Sequence, residues 1–143
     1  MRESTPMSDL ESVNFGGLDR WAYEPRRVDK PWGSELIWAL SDVYCGKVLF
    51  VASGQALSLQ FHNVKDESWY VLGGRAKLEL GNAGSTILEE EVITTGAAFR
   101  FRPGTVHRVT AIEDTTILEV STPHLDDVVR LEDLYGREGT SEP

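Results

Sequence analysis

The sequence predicts an all-β fold, a single-domain barrel built from two sheets, and three observations carry that prediction. The chain has 143 residues, which against a prior of roughly 100–200 per domain means one domain. From Glu35 onward it is a series of strand-length, β-rich runs: ELIWAL, VYCGKVLFVA, LSLQFH, SWYVLGG, AKLEL, STILEE, EVITT, AFRFR, HRVTAI and TTILEVST. Turn signals separate these runs, among them Ala52-Ser53-Gly54, Gly73-Gly74, Gly81-Asn82-Ala83-Gly84 and Pro103-Gly104. About ten short strands at this spacing make a compact double-sheet barrel.

The elements follow in order. Residues 1–27 mix polar residues with isolated Phe15, Trp21 and Tyr23 around a Gly16-Gly17 break, without helical or strand period, and read as an N-terminal arm. Its aromatics need a surface, either their own barrel or, as the favoured reading, a partner subunit. Residues 28–123 are the barrel. Residues 124–143 follow Thr122-Pro123, a pair suited to a helix start, and LDDVVRLEDLY reads as a short helix or an extended tail.

Composition narrows the function classes. With 41% hydrophobic residues the chain can bury about two-thirds of its unfolded surface. Fourteen Lys and Arg against 23 Asp and Glu give a net charge of −9, which disfavours nucleic acid and anionic lipid as partners. An anionic ligand then requires a locally basic pocket. The lone Cys45 excludes an internal disulfide framework or a cysteine zinc site, and it reads as a small buried hydrophobe. No apolar run approaches the ~20 residues of a membrane span, and MRESTPMSDLES has no signal-like hydrophobic segment, so the expected compartment is the cytoplasm.

The chemistry is expected where polar residues interrupt apolar strands. In ALSLQFH, strand alternation puts Ala56, Ser58, Gln60 and His62 on one face and Leu57, Leu59 and Phe61 on the other. Glu67 follows after a short loop at the start of the next strand, and His107 opens HRVTAI just after the Pro103-Gly104 turn. Gln60, His62, Glu67 and His107 form a mixed nitrogen and oxygen donor set, suited to one divalent ion among Zn, Mn, Fe, Ni and Co.

These residues resemble the cupin superfamily. Its first motif reads here Gly54, five residues, Gln60, Phe61, His62, four residues, Glu67, six residues, Gly74, with Gln60 in place of the first His. In the second, Gly96, Gly104 and His107 hold their places, the Pro is displaced to Pro103, and Ala111 stands where the family has Asn. Within cupins, residues 26–137 resemble the C-terminal isomerase domain of type II phosphomannose isomerases. The carriers are Lys30-Pro31-Trp32-Gly33-Ser34, Leu57 to His62, Glu67-Ser68-Trp69, His107-Arg108 and Val129 to Arg137. That family also has Gln at the position of Gln60, but commonly His at those of Asn63 and Val64. The resemblance implies a double-stranded β-helix (jelly-roll) barrel and a metal held by Gln60, His62, Glu67 and His107. It also places Lys30 near the pocket mouth, and the length leaves no room for the nucleotidyltransferase half.

A substrate site is expected from the arginines. Arg100 and Arg102 share a face of AFRFR, and two inward guanidiniums would need an anion. With Arg108 nearby they would make the basic pocket; the opposite reading puts Phe99 and Phe101 inward and the arginines in solvent, and alternation does not choose between the two. The leading function is metal-dependent isomerisation of a sugar or sugar phosphate such as mannose 6-phosphate, with no residue identified as the base. The alternatives are an iron-dependent cupin dioxygenase, favoured by a hydrophobic pocket, and a noncatalytic sugar- or small-molecule-binding module. A homodimer is expected from the Leu57, Leu59 and Phe61 face and the aromatic arm.

Overall fold

The computed structural model describes residues 15–139 except 83 and 86. The strands are β1 (Arg26–Lys30), β2 (Gly33–Leu40), β3 (Cys45–Val51), β4 (Leu59–Phe61), β5 (Glu67–Gly73), β6 (Arg75–Gly81), β7 (Glu89–Thr94), β8 (Ala98–Phe101), β9 (Val106–Ala111), β10 (Thr115–Ser121) and β11 (Val129–Glu132). They form a six-stranded sheet, β1-β2-β3-β10-β5-β8, facing a five-stranded sheet, β11-β4-β9-β6-β7. Every pairing is antiparallel. The described residues contain no helix, hence none long and apolar enough to cross a membrane.

Two terminal expectations change. LDDVVRLEDLY forms no helix: Val129–Glu132 is a strand on the edge of the smaller sheet, paired with β4. The β-branched Val128-Val129 pair finds an unfilled sheet edge there, and that tertiary pairing overrides the capping signal. At the other end the sheet begins at Arg26, inside the expected arm. Phe15 and Leu18 of the arm pack on the chain's own Ile37, Leu40 and Cys45, whereas Trp21 is fully exposed. The expectations for residues 1–14 lie outside the described residues.

The core lies between the sheets. Alternation along β5 sends Trp69 and Val71 inward and Tyr70 and Leu72 out, and β10 does the same with Ile117 and Leu118. Trp69, Val71, Leu78, Ile93, Phe101, Val109 and Ile117, drawn from both sheets, belong to one buried cluster. Gly74 makes the tight β5–β6 turn. Its φ is +95°, and a Cβ there would stand 2.3 Å from the Asp114 carbonyl oxygen, so only glycine fits.

A candidate metal centre in a basic cavity

Three strands and two loops converge on one point. His62 lies just past β4, Glu67 opens β5 and His107 is the second residue of β9. Gly104 of the β8–β9 turn donates its N–H to the His62 carbonyl at 2.8 Å, which ties the His107 strand to the His62 loop. Donor atoms of His62, Glu67 and His107 all lie within 4.8 Å of one another, and all three residues are buried.

The hydrogen bonds define what the site lacks. Nδ1 of His62 faces the Asp127 carbonyl, and Nδ1 of His107 faces the Thr105 carbonyl at 2.9 Å. Each carbonyl assigns the ring hydrogen to Nδ1 and leaves the Nε2 lone pair pointing inward. Those pairs meet Glu67 Oε1, 3.6 Å from His62 Nε2 and 3.0 Å from His107 Nε2. His62 Nε2, His107 Nε2 and Glu67 Oε1 are buried with no hydrogen-bond partner among the described residues. Three converging acceptors in a dry site repel one another, and one divalent cation satisfies all of them where a proton would satisfy a single pair. The donor set therefore fits a metal on its own geometry.

A buried network supports these atoms. Lys65 Nζ contacts Glu67 Oε2 at 2.9 Å and Glu119 Oε2 at 3.4 Å, and Trp69 Nε1 donates to Glu119 Oε1 at 3.1 Å. Burial alone would lower the Lys65 pKa, but Glu119 and Glu67 outweigh it and keep the ammonium charged. Burial alone would likewise raise the Glu67 pKa, but the Lys65 ammonium opposes it and the carboxyl lies well below the usual carboxylate range. Asp127 carboxylate oxygens accept the backbone N–H groups of Asn63, Val64 and Lys65, which fixes the loop carrying His62. Phe101 stacks on the His107 ring at 4.3 Å, and Trp69 meets it edge-on at 5.7 Å.

Gln60 stands beside His107 in the β4–β9 register and lines the same cavity. Its Oε1 accepts from Ser58 Oγ at 3.3 Å. Of the four expected metal residues Gln60, His62 and Glu67 line the cavity, and the fully buried His107 joins His62 and Glu67 in the close cluster just behind its wall.

The substrate expectation changes more. Arg100 points outward and forms a bidentate pair with Asp66, at 3.1 and 2.6 Å, with 54% of its side chain exposed. Arg102 is exposed as well. Phe101 takes the inward position because it stacks on His107, which forces its neighbours out. Arg108 lies on the outer face of the smaller sheet, paired with Glu79 at 2.9 and 3.1 Å. None of these three lines the cavity; of the four expected substrate residues only Lys30 does.

The cavity is basic through other residues. Lys47, Lys65, Arg130 and Arg137 join Lys30 in its wall, against Glu35, Glu67 and Glu119. Glu35 lies 3.8 Å from Lys30 and 3.4 Å from Lys47. Burial lowers the Lys30 pKa despite Glu35, with the charges of Lys47, Arg137 and Arg130 adding to the effect. Arg130, Gln60 and His107 form one inward row across β11, β4 and β9. A signal for these residues exists in the sequence: Lys47 alternates in phase with Leu49 and Val51, Glu119 with Ile117, and Glu67 with Trp69 and Val71. A charge in phase with core residues marks an inward polar site.

Two facing antiparallel sheets with inward histidines and a carboxylate near the open end make this a cupin-type double-stranded β-helix. The chain belongs to the mannose-6-phosphate isomerase C-terminal family, which it matches over residues 19–133. It is 31% identical over 119 residues to mannose-1-phosphate guanylyltransferase 2 of Escherichia coli O157:H7, covering 79% of this chain and 23% of that protein. The chain spans about a quarter of the length of the curated relatives it matches. An RmlC-like cupin from Shewanella frigidimarina superposes with a TM-score of 0.57 at 15% identity, over 69% of this chain and 84% of that one. Bacillus subtilis oxalate decarboxylase, described with Mn(II) centres, superposes with a TM-score of 0.62 at 19% identity, over 76% and 30%.

Proposed function

We propose that the chain is a divalent-metal-dependent enzyme acting on an anionic sugar, with aldose-ketose isomerisation of a mannose 6-phosphate-like substrate as its reaction. The observation that carries the reading is the set of three orphaned acceptors, His62 Nε2, His107 Nε2 and Glu67 Oε1, beside a cavity wall bearing five cationic side chains. Family membership supports the choice of a sugar phosphate. The basic lining separates this reading from an iron dioxygenase, for which an apolar pocket is the better host.

His62, Glu67 and His107 would hold the ion, with Gln60 next to His107 in the register as the fourth donor. When bound, the ion supplies Lewis acidity toward a carbonyl and its neighbouring hydroxyl, which makes the intervening carbon-bound proton easier to remove. The chain's own residues then set position. Lys30, Arg130 and Arg137 hold the anionic group and fix which carbons meet the centre. Lys65 stays protonated and holds Glu67 in place rather than moving a proton. Trp69 and Phe101 pack against His107 and keep water from the buried side of the site.

The test is proton exchange. Metal-loaded protein should wash deuterium from solvent into carbon 2 of mannose 6-phosphate and interconvert it with the ketose phosphate. No exchange across sugar phosphates and free sugars, with oxygen uptake by an iron-loaded sample, would transfer the reading to the dioxygenase.

A further inference from the structure

Isomerisation needs a group that carries a proton between neighbouring carbons, and the cavity wall narrows the choice. Its lysines and arginines in their charged form have no lone pair to offer. Among the described residues three carboxylates line it, Glu35, Glu67 and Glu119. Two of them are committed. Glu67 turns Oε1 to His62 and His107 and Oε2 to Lys65 at 2.9 Å. Glu119 accepts from Trp69 Nε1 at 3.1 Å on one oxygen and meets Lys65 at 3.4 Å with the other.

Glu35 is held differently. It points inward from β2 in phase with Ile37, a position an apolar side chain would normally take. Lys47 Nζ stands 3.4 Å from each of its oxygens and Lys30 Nζ 3.8 Å from Oε1. These contacts are longer than the 2.9 Å of Lys65 on Glu67, and they come from the ends of flexible stems. A carboxylate has about four lone-pair sites, more than two ammonium groups fill. Its place along the wall also suits the role. Lys47 is the register neighbour of Glu119 on β10, and Glu119 is that of Trp69 on β5, whose ring meets His107 at 5.7 Å. Glu35 thus shares the cavity with the metal cluster without belonging to it.

We propose that Glu35 is the general base of the reaction, an assignment that rests on the isomerase reading above. Its carboxylate takes the proton from carbon 2 of the aldose, the C–H electron pair forms a double bond between carbons 1 and 2, and the carbonyl pair moves onto O1. The hydroxyl proton passes from O2 to O1, the O2 pair re-forms a carbonyl at carbon 2, and Glu35 returns its proton to carbon 1. A base so placed contributes about 10²–10⁴-fold.

The experiment follows deuterium uptake at carbon 2 of mannose 6-phosphate by NMR, with metal-loaded full-length protein. Glu35→Gln keeps the size of the side chain and removes the base. Exchange and kcat should fall about 100-fold or more, while KM and the calorimetric affinity for mannose 6-phosphate stay within about threefold and metal content holds at one ion per chain. Glu35→Asp keeps the charge facing Lys30 and Lys47 but withdraws it by one methylene, so it should bind normally and exchange about tenfold or more slowly than the wild type. A Gln variant that exchanges within about tenfold of the wild type, one whose affinity falls in step with its rate, or an Asp variant as fast as the wild type overturns the assignment alone. A wild type that exchanges nothing overturns the isomerase reading and the assignment with it.

Discussion

Glu67 Oε1 and His107 Nε2 stand 3.0 Å apart without a hydrogen bond, because the His107 ring gives its hydrogen to the Thr105 carbonyl. Two buried acceptors at this distance store repulsion that a cation removes. An ion bound only by the folded state stabilises that state by mass action, by about 2.7 kcal/mol at a free concentration 100 times the dissociation constant. Adding Mn, Zn or another accepted divalent ion should therefore raise the unfolding midpoint of the wild type and leave that of His62→Ala/His107→Ala unmoved. Differential scanning fluorimetry across an ion series reads both.

Lys65 neutralises two buried carboxylates at once, so its loss should weigh more than that of a surface lysine. Lys65→Met leaves Glu67 and Glu119 facing each other without a cation, at a cost of about 3–5 kcal/mol. The pH dependence has a definite sign. In the wild type the folded Glu67 pKa is depressed, so its contribution is complete above the ordinary carboxylate pKa and is lost as pH falls through the lower folded value. Without the ammonium, burial dominates and raises the folded Glu67 pKa, so the variant gains stability as pH falls. Urea unfolding should show the gap between the two proteins narrowing from pH 7 toward about pH 5.

Arg130 and Arg102 make opposite predictions about ligand binding. Arg130→Met removes a cation from the cavity wall, and affinity for mannose 6-phosphate should fall about tenfold or more while metal stoichiometry holds. Arg102→Ala alters an exposed side chain outside the cavity and should change neither. Titration calorimetry with both variants distinguishes the observed pocket from the one expected from AFRFR.

Gly74→Ala tests the β5–β6 turn. The added methyl meets the Asp114 carbonyl oxygen at 2.3 Å and the Thr115 Cα at 2.6 Å, both backbone atoms that cannot rotate away, and φ is already positive. A loss of about 3 kcal/mol or more is expected from denaturant midpoints.

The barrel was legible because strand alternation and turn glycines are local signals: each apolar run from ELIWAL to TTILEVST contains or becomes part of a strand, with the end of STILEE and most of EVITT merging into the single strand β7. The donor set was legible because its spacing is set by one strand and one short loop, Gln60 to Glu67, plus a turn before His107. Which face of AFRFR points inward was not legible. Phe99, Phe101, Arg100 and Arg102 alternate equally well either way, and the choice is made by Phe101 stacking on His107, a residue from another strand. Strand β11 was missed for the same reason: the edge of β4 that it fills exists only after the barrel has closed.

Metal content tests the central claim most directly. Protein purified without an affinity-tag metal column, then equilibrated with a panel of divalent ions and desalted, should carry one ion per chain by mass spectrometry. His62→Ala/His107→Ala, folded by circular dichroism, should carry none. A wild type that retains no ion from the panel, or a double variant that retains it stoichiometrically, would contradict the assignment of His62, Glu67 and His107 as a metal centre.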